Sequence, residues 1–503
     1  MDTSFLLRVA ASKFPDRPAL RYADREITFA ELDRDVDRLA TGIVAAGGHT
    51  APVASVTWND LRTVVLYLAL ARAGATCVPI NPRLAGPEIA WIVENCGAAT
   101  LVAAADLAAE HGFEAPGLGL GRLVLLGEAP TLDSFGDLLA PTPTDFVPAE
   151  EIDERSDATI IYTSGTSGFP KGTVRSHRAN LWHAVNSQIG SPRTPADVEL
   201  FSLPLFGLGF IAQVLPTLMA GGCVVLDRIF DPTRAWELIE AHRITRAFLA
   251  PTMIASMLEV DGNERFDVDS LHSLLVAYGF ADRLRRAAQA RFPAAFFNMY
   301  GLTEAQLCCT APGEFELDPT SSGKPMGLAR LLILGPDGDR MTTGEVGEIA
   351  FQAPSVMSRY HDLPEATAAA LDGDILRTGD LGYLDAEGDV HFTGRRKEII
   401  KSGGFSIDPT EIENALLELA GVAEVAVVGA PDEYWGERVV ACVKLGDAAL
   451  EAETLTAHLG ERLARFKVPK EIVFYDDLPK NPTGKVERGK LRELLAARAD
   501  GNG

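Results

Sequence analysis

The stretch Tyr162-Thr163-Ser164-Gly165-Thr166-Ser167-Gly168-Phe169-Pro170-Lys171-Gly172 sets three glycines, four Ser/Thr hydroxyls, one proline and one lysine within eleven residues. Those residue types can cradle a phosphate. Glycines let the backbone turn so that several N–H groups face one anion, hydroxyls add adjustable donors, and Lys171 supplies a cation. The alternative is a solvated surface loop, and its surroundings argue against that.

An anion loop has to be held by regular structure on both sides. The apolar, β-branched run Ala158–Tyr162 reads as a buried strand before it, and Ser176-His177-Arg178-Ala179-Asn180-Leu181-Trp182 reads as a helix start after it. Strand, anion loop and helix together make a nucleotide-binding geometry. The usual NTPase loop is excluded, because G-x-x-x-x-G-K-[ST] counted from Gly165 needs glycine where Pro170 stands.

The whole chain has 503 residues, 47% of them apolar, so two or more domains with sizeable cores are expected. A formal charge of −24 argues against a nucleic-acid or anionic-membrane surface. Six cysteines without a CxxC pair and nine histidines without an HxxxH or HExxH arrangement give no zinc site or disulfide framework. The N-terminal residues do not read as a signal peptide, and the longest apolar run, Thr63–Ala71, is broken by Arg72. A cytoplasmic protein with reduced thiols and no membrane span is expected; oligomeric state is not legible.

Alternating patterns imply α/β layers. Helices are expected to open at Thr28–Leu32 and to run through Val64–Leu70 and Trp236–His242. Strands are expected at Val53–Val56, Cys77–Ile80, Ala220–Leu226 and Ala247–Pro251. Gly117–Gly121 has the wrong spacing for a dinucleotide fingerprint and reads as a turn. A polar junction at Thr393–Glu398 follows the strand-like Asp389–Phe392. Beyond it, helices at Glu411–Leu419 and Leu455–Leu463 and strands at Val425–Val428 and Val439–Val443 make a small α/β domain.

The loop closely resembles the signature of the adenylate-forming superfamily: acyl-CoA synthetases, aryl-CoA ligases, luciferase-type enzymes and peptide-synthetase adenylation domains. Four further blocks of that pattern follow in order, and the resemblance runs from about residue 5 to about residue 495. It implies an α/β protein with a large, multi-subdomain N-terminal adenylation domain (1–393), a hinge (394–400) and a small mobile α/β C-terminal domain (401–503). It also implies ATP, Mg²⁺ and CoA as cofactors and a carboxylic acid as substrate. A carboxylate is a poor electrophile, and joining it to AMP supplies a leaving group and removes the charge.

By the resemblance, Thr163, Ser164, Gly165, Thr166, Ser167 and Gly168 hold phosphate and Lys171 acts as a catalytic cation. In Asn298-Met299-Tyr300-Gly301-Leu302-Thr303-Glu304, Tyr300 stacks on adenine and Asn298 bonds its amine, with Gly301 beside them. Thr303 touches the α-phosphate and Glu304 holds Mg²⁺, roles that suit an aromatic face and a hard carboxylate. Asp380, in Thr378–Gly382, accepts from the ribose hydroxyls. Arg395 contacts ribose and phosphate, and Lys397 is the hinge. Lys485, in Pro482–Val486, neutralises charge as the acyl-adenylate forms.

A lysine loop some ninety residues past the hinge cannot stay in place while CoA enters by the same face. The resemblance therefore implies domain alternation, with Gly403 and Gly404 lining the pantetheine tunnel. Trp435 and Phe466 are further CoA candidates, and Trp435 has a core or domain-interface role as its alternative.

Two places depart from the family pattern. Gly207, in Pro204-Leu205-Phe206-Gly207-Leu208-Gly209-Phe210, replaces a histidine near the acyl pocket; either the pocket is widened or Phe206 or Phe210 fills the space. Ala277–Ala281 carries Tyr278 and Phe280 around Gly279, where relatives have small residues. With Leu208 and Leu302, these are the acyl-pocket candidates. No Arg or Lys adjoins Asn298–Glu304 in sequence, so a largely apolar monocarboxylic acid is expected, aliphatic, aryl or polycyclic. The acceptor is CoA, or alternatively an acyl carrier protein or a partner thiolating enzyme.

Overall fold

The computed structural model describes residues 1–113, 116–127, 135, 151–163, 170–277, 282–311, 314, 318–395, 398–402, 405–432, 435–446, 450–463, 465, 467–481 and 485–499. The chain forms two compact units. One comprises Met1–Tyr278, Ala287–Leu331 and Phe351–Arg377; the other comprises Gly279–Arg286, Leu332–Ala350 and Thr378–Gly503.

The first unit holds two large sheets. In the nine-stranded sheet, Ala295–Leu302, Ser273–Ala277, Arg246–Phe248, Val198–Phe201, Cys223–Leu226 and Pro18–Tyr22 lie parallel in that order, with antiparallel strands at both edges. In the seven-stranded sheet, Asp157–Thr163, Cys77–Ile80, Val53–Val56, Thr100–Ala104 and Arg122–Leu126 are parallel. Lys171–Ser176 and Arg359–Tyr360 add an antiparallel edge. Val53–Val56, Cys77–Ile80 and Thr100–Ala104 are buried at every residue, as parallel strands covered on both faces must be.

Helix Leu61–Ala73 is buried throughout. Asp60 caps it by accepting from the N–H groups of Arg62 (2.6 Å) and Thr63 (3.1 Å), and Gly74, at φ +73°, ends it. Arg72 interrupts the apolar run in sequence, yet its side chain is fully buried. Asp33 and Asp37 on helix Phe29–Ala45 pair with it at 2.6 Å each, and Ser4 Oγ accepts from it at 3.1 Å. A buried cation persists only with partners of this kind.

The segment after the anion loop departs from expectation. The helix does begin where expected, at His177, with Ser176 Oγ accepting from Ala179 N at 3.1 Å. Between loop and helix, however, the chain first returns as the strand Lys171–Ser176, antiparallel to Asp157–Thr163. Thr173 and Val174 supply the β-branched side chains, and Gly172 allows the close approach. A Cβ at Gly172 would lie 2.8 Å from Ile160 Cγ2 and 3.1 Å from the Tyr162 ring.

The second unit ends in a sheet ordered Phe405–Ile407, Ile400–Ser402, Gly436–Leu445 and Val422–Asp432, with Glu471–Phe474 parallel to Gly436–Leu445. Alternation along the two long strands builds two cores. Val427, Val439, Ala441 and Val443 pack with Ile412, Leu416, Leu455 and Leu459 of helices Pro409–Leu417 and Ala452–Gly460. Ala426, Val428, Val440 and Cys442 pack with Leu491 and Leu495 of helix Arg488–Ala499.

His177 ties the N-terminal residues to this framework. Its Nδ1 accepts from Thr3 N at 3.1 Å, and burial pushes its pKa from 6.5 down to about 4. Between those values the unfolded chain binds a proton that the native imidazole refuses. This contribution is therefore complete above about pH 6.5 and is lost as the pH falls toward 4. His177→Asn keeps an acceptor for Thr3 but cannot titrate. Its stability at neutral pH should be lower, and its decline between pH 6.5 and 4.5 shallower by roughly 1 kcal/mol per pH unit. Equal slopes in chemical denaturation would contradict the assignment.

Candidate functional site

Thr163 and Lys171 are paired in register at the mouth of the hairpin that carries the anion loop. Residues 164–169, including Ser164, Gly165, Thr166, Ser167 and Gly168, lie outside the described residues. The block from Asn298 to Glu304 falls on strand Ala295–Leu302 and its turn. Leu302 pairs with Ala305 of strand Ala305–Cys309, which leaves Thr303 and Glu304 as the two turn residues. Tyr300 lies with its ring centroid 6.2 Å from that of Phe351, and the Asn298 side-chain amide donates to Ser321 O at 2.8 Å.

Three side chains meet around this turn. Tyr360 donates its hydroxyl to Glu304 Oε1 at 2.5 Å, and Lys171 Nζ sits 5.2 Å from the centroid of the Tyr360 ring. The phenol thus links the loop lysine to the turn carboxylate. Burial first, and the facing Glu304 carboxylate second, raise the Tyr360 pKa well above its ordinary value, so the hydroxyl remains a donor. With Oε1 held, Glu304 can offer Oε2 to a cation. One half-buried carboxylate fits Mg²⁺, which usually keeps several waters and takes the rest of its shell from substrate phosphates.

Arg175 fixes the same turn from behind. Its side chain is fully buried, and Nη1 donates to the carbonyls of Thr303 (3.1 Å) and Glu304 (3.2 Å). Nη2 reaches Ser355 O at 3.0 Å and Ala179 O at 3.3 Å, and Nε reaches Asn180 Oδ1 at 3.0 Å. Burial pulls its pKa down to about 10, and Glu304 opposes that shift. Every N–H of the guanidinium has an acceptor in the fold, so Arg175 has none to spare for a substrate anion.

Neither Tyr360 nor Arg175 emerges from the sequence reading. Arg175 stands 128 and 129 residues from the carbonyls it binds. Its one local signal is a charge set in the β-branched run Thr173-Val174-Arg175.

Gly207 lies in a turn whose N–H donates to Pro204 O at 3.3 Å, and a Cβ added there would meet only that oxygen, at 3.7 Å. Phe210 is turned onto Tyr67, centroids 5.3 Å apart and edge-on. A predominantly apolar cavity runs between Gly207, Phe210, Ile211, Tyr67, Cys77 and Ile161. Leu208 packs at the margin of the main core. Tyr278, Gly279 and Phe280 lie outside the described residues.

In the second unit, Asp380 pairs in register with Arg395 across strands Ile375–Leu384 and Val390–Arg395. The Asp380 side chain is buried, and the chain reaches it through Gly379 at φ +72°. The hydroxyl of Thr378 accepts from Asp380 N at 3.1 Å and donates to Ile349 O at 2.7 Å. The Arg395 side chain, Lys397, Gly403, Gly404 and Phe466 lie outside the described residues. Trp435 is partly exposed beside the turn between the two long strands, with Lys470 Nζ 5.0 Å from its ring centroid. Lys485 is exposed, and its N–H donates to Asn481 Oδ1 at 2.9 Å.

Comparison with known proteins matches this arrangement. A family model described as AMP-binding enzyme covers residues 7–361, and one described as AMP-binding enzyme C-terminal domain covers residues 411–485. The chain belongs to the AMP-binding enzyme family. It is 36% identical over 491 residues to an indoleacetate–CoA ligase of Aromatoleum aromaticum, with 96% of each chain covered. A feruloyl-CoA synthase of an Amycolatopsis species is 35% identical, with 95% of this chain and 96% of the relative covered. Among solved structures, o-succinylbenzoate CoA synthetase of Bacillus subtilis, bound to its acyl-adenylate, aligns at a TM-score of 0.86 and 29% identity over 98% of both chains. Within the AMP-binding family this chain is of the acyl-CoA synthetase type, an AMP-forming acid–thiol ligase that uses ATP.

The Tyr360–Glu304 contact yields a test. A hydrogen bond to a charged group contributes about 1.5–3 kcal/mol. Tyr360→Phe should therefore raise the Mg²⁺ concentration for half-maximal adenylation by about tenfold while the protein stays folded. An unchanged Mg²⁺ titration would remove Tyr360 from the site.

Proposed function

We propose that the protein converts a largely apolar monocarboxylic acid, MgATP and CoA into an acyl-CoA, AMP and pyrophosphate. The carboxylate attacks the α-phosphorus of ATP to give acyl-AMP and expels pyrophosphate; the CoA thiol then attacks the acyl carbon and releases AMP. The contact carrying this reading is Tyr360 between Glu304 and Lys171, because it gathers a loop cation and a metal-type carboxylate at one turn.

In this reading Lys171 and residues 163–168 bind the phosphates, Thr303 meets the α-phosphate, and Glu304 holds Mg²⁺, which supplies charge neutralisation on the phosphates. Tyr300, Gly301 and Asn298 receive adenine, and Asp380 and Arg395 receive ribose. Lys485 stabilises the charge that develops as acyl-AMP forms. The small domain beyond residue 393 rotates about Lys397 between half-reactions and presents Gly403, Gly404, Trp435 and Phe466 to CoA. Among the described residues no helix is long and apolar enough to cross a membrane, and we place the enzyme in the cytoplasm.

The acid is aryl or similarly bulky. Two relatives carry indoleacetate and ferulate in their names, both bulky acids with one carboxylate. Arg175, the cation nearest the turn in the described structure, is committed to main-chain carbonyls and gives a second carboxylate no partner.

Mass spectrometry with MgATP and a panel of acids, each with and without CoA, tests the reading. Aryl monocarboxylates should give CoA-dependent acyl-CoA with kcat/KM about tenfold or more above that for a short dicarboxylate. Acyl-AMP that accumulates unchanged with CoA present would transfer the second step to a carrier protein or a partner enzyme. Gly207→His has space for its Cβ, so it should fold and cut turnover of bulky acids by about tenfold while small acids are spared. Undiminished activity on large acids would dismiss Gly207 as a pocket residue.

A further inference from the structure

Glu398 lies within residues 394–400, the expected hinge, directly after Lys397, and Arg488 stands three residues past Lys485. Ninety residues apart in sequence, the two are ion-paired, with Arg488 Nη1 3.1 Å from Glu398 Oε2. The other arm of the guanidinium donates to both oxygens of Glu413, at 2.6 and 2.7 Å. Glu413 Oε1 also accepts from Val427 N at 2.7 Å, so the triad is anchored to the edge strand Val422–Asp432. The three side chains are only 18%, 19% and 11% exposed.

An ionic trio so placed gives up hydration that packed apolar residues would not, so net stability is a poor explanation for it. What it supplies is geometry. A planar guanidinium whose Nη2 bonds both oxygens of one carboxylate and whose Nη1 bonds another is left little freedom.

The chain on either side of Arg488 is equally tied. Asn481 N donates to Lys485 O at 2.8 Å, and Lys485 N donates back to Asn481 Oδ1 at 2.9 Å. Lys480 and Val486 form a β-bridge, and Glu487 N donates to Pro479 O at 2.8 Å. Arg488 then opens the helix whose Leu491 and Leu495 enter the core. Lys485, Val486 and Glu487 are thus tied back to Pro479, Lys480 and Asn481, and Arg488, the next residue, joins them to Glu398.

We propose that Arg488 is a positioning residue which, through Glu398 and Glu413, locks the segment that starts at Lys485 to the hinge stretch, so that the lysine travels as a rigid arm. The proposal rests on Lys485 acting in adenylation. It predicts a split between half-reactions, because thiolation does not need Lys485 in place, whereas a purely structural ion pair would affect both alike.

The test uses the full-length enzyme. Adenylation is read by carboxylate-dependent ATP–pyrophosphate exchange, and thiolation by CoA-dependent consumption of supplied acyl-AMP. Arg488→Lys keeps the charge but cannot form the fork. It should lower exchange by about tenfold or more and leave thiolation within about twofold. Glu398→Gln, which leaves Arg488 and Glu413 together, should shift the ratio the same way by less. Melting temperatures identify variants that remain folded. Exchange unchanged in both variants, or both half-reactions falling in parallel, would overturn the proposal. Lys485→Ala provides the reference: loss of its exchange while Arg488→Lys keeps it defeats the positioning role alone. Exchange retained in Lys485→Ala would defeat the reading of the lysine, and the proposal with it.

Discussion

The turn at Thr303–Glu304 depends on one buried guanidinium. Arg175 binds both turn carbonyls and also joins Ser355, Ala179 and Asn180, so strand, helix and turn share a single cation. Burying such a charge is costly unless every donor is used, and here every donor is used. Each carbonyl orphaned by its removal would cost about 1–3 kcal/mol. The turn is consequently not an adjustable loop. Glu304 leaves it in a fixed direction and meets the hydroxyl of Tyr360, whose ring lies under Lys171 Nζ.

This arrangement explains how a strongly acidic chain handles an anionic nucleotide. The net charge of −24 describes the surface as a whole, whereas phosphate chemistry needs a few cations set close to the reacting atoms. The cations are divided by task. Arg175 is spent on structure, whereas under the proposed reading Lys171 serves the phosphates and Lys485, whose N–H donates to Asn481 Oδ1, serves adenylation. Asp380 and Arg395 are brought opposite each other by strand register, with Gly379 supplying the left-handed backbone that leads to the aspartate.

Much of this was legible in the sequence because it is local. Thr28 with Glu31 marks the start of helix Phe29–Ala45 through a capping box, and strands Val53–Val56 and Cys77–Ile80 lie where their β-branched runs put them. The long strands Val422–Asp432 and Gly436–Leu445 enclose the shorter runs expected from alternation. What escaped was non-local. Lys171–Ser176 is a strand because Asp157–Thr163 lies beside it, and a six-residue window ending in a helix cap does not carry that information. Arg175 and Tyr360 owe their roles to partners far away in the chain, the latter 56 residues from Glu304. No cation adjoins Asn298–Glu304 along the chain, yet Arg175 reaches the turn in space, where its donors are used by the fold.

In the proposed reaction a carboxylate oxygen becomes bonded to the α-phosphorus of ATP. Isotope transfer reads that bond: an aryl acid labelled with ¹⁸O in its carboxylate is turned over, and the released AMP and pyrophosphate are analysed by mass. One ¹⁸O atom is expected in AMP per turnover and none in pyrophosphate. Label in inorganic phosphate or pyrophosphate, or unlabelled AMP accompanying acyl-CoA, would mean that the acid is activated by another route and would contradict it.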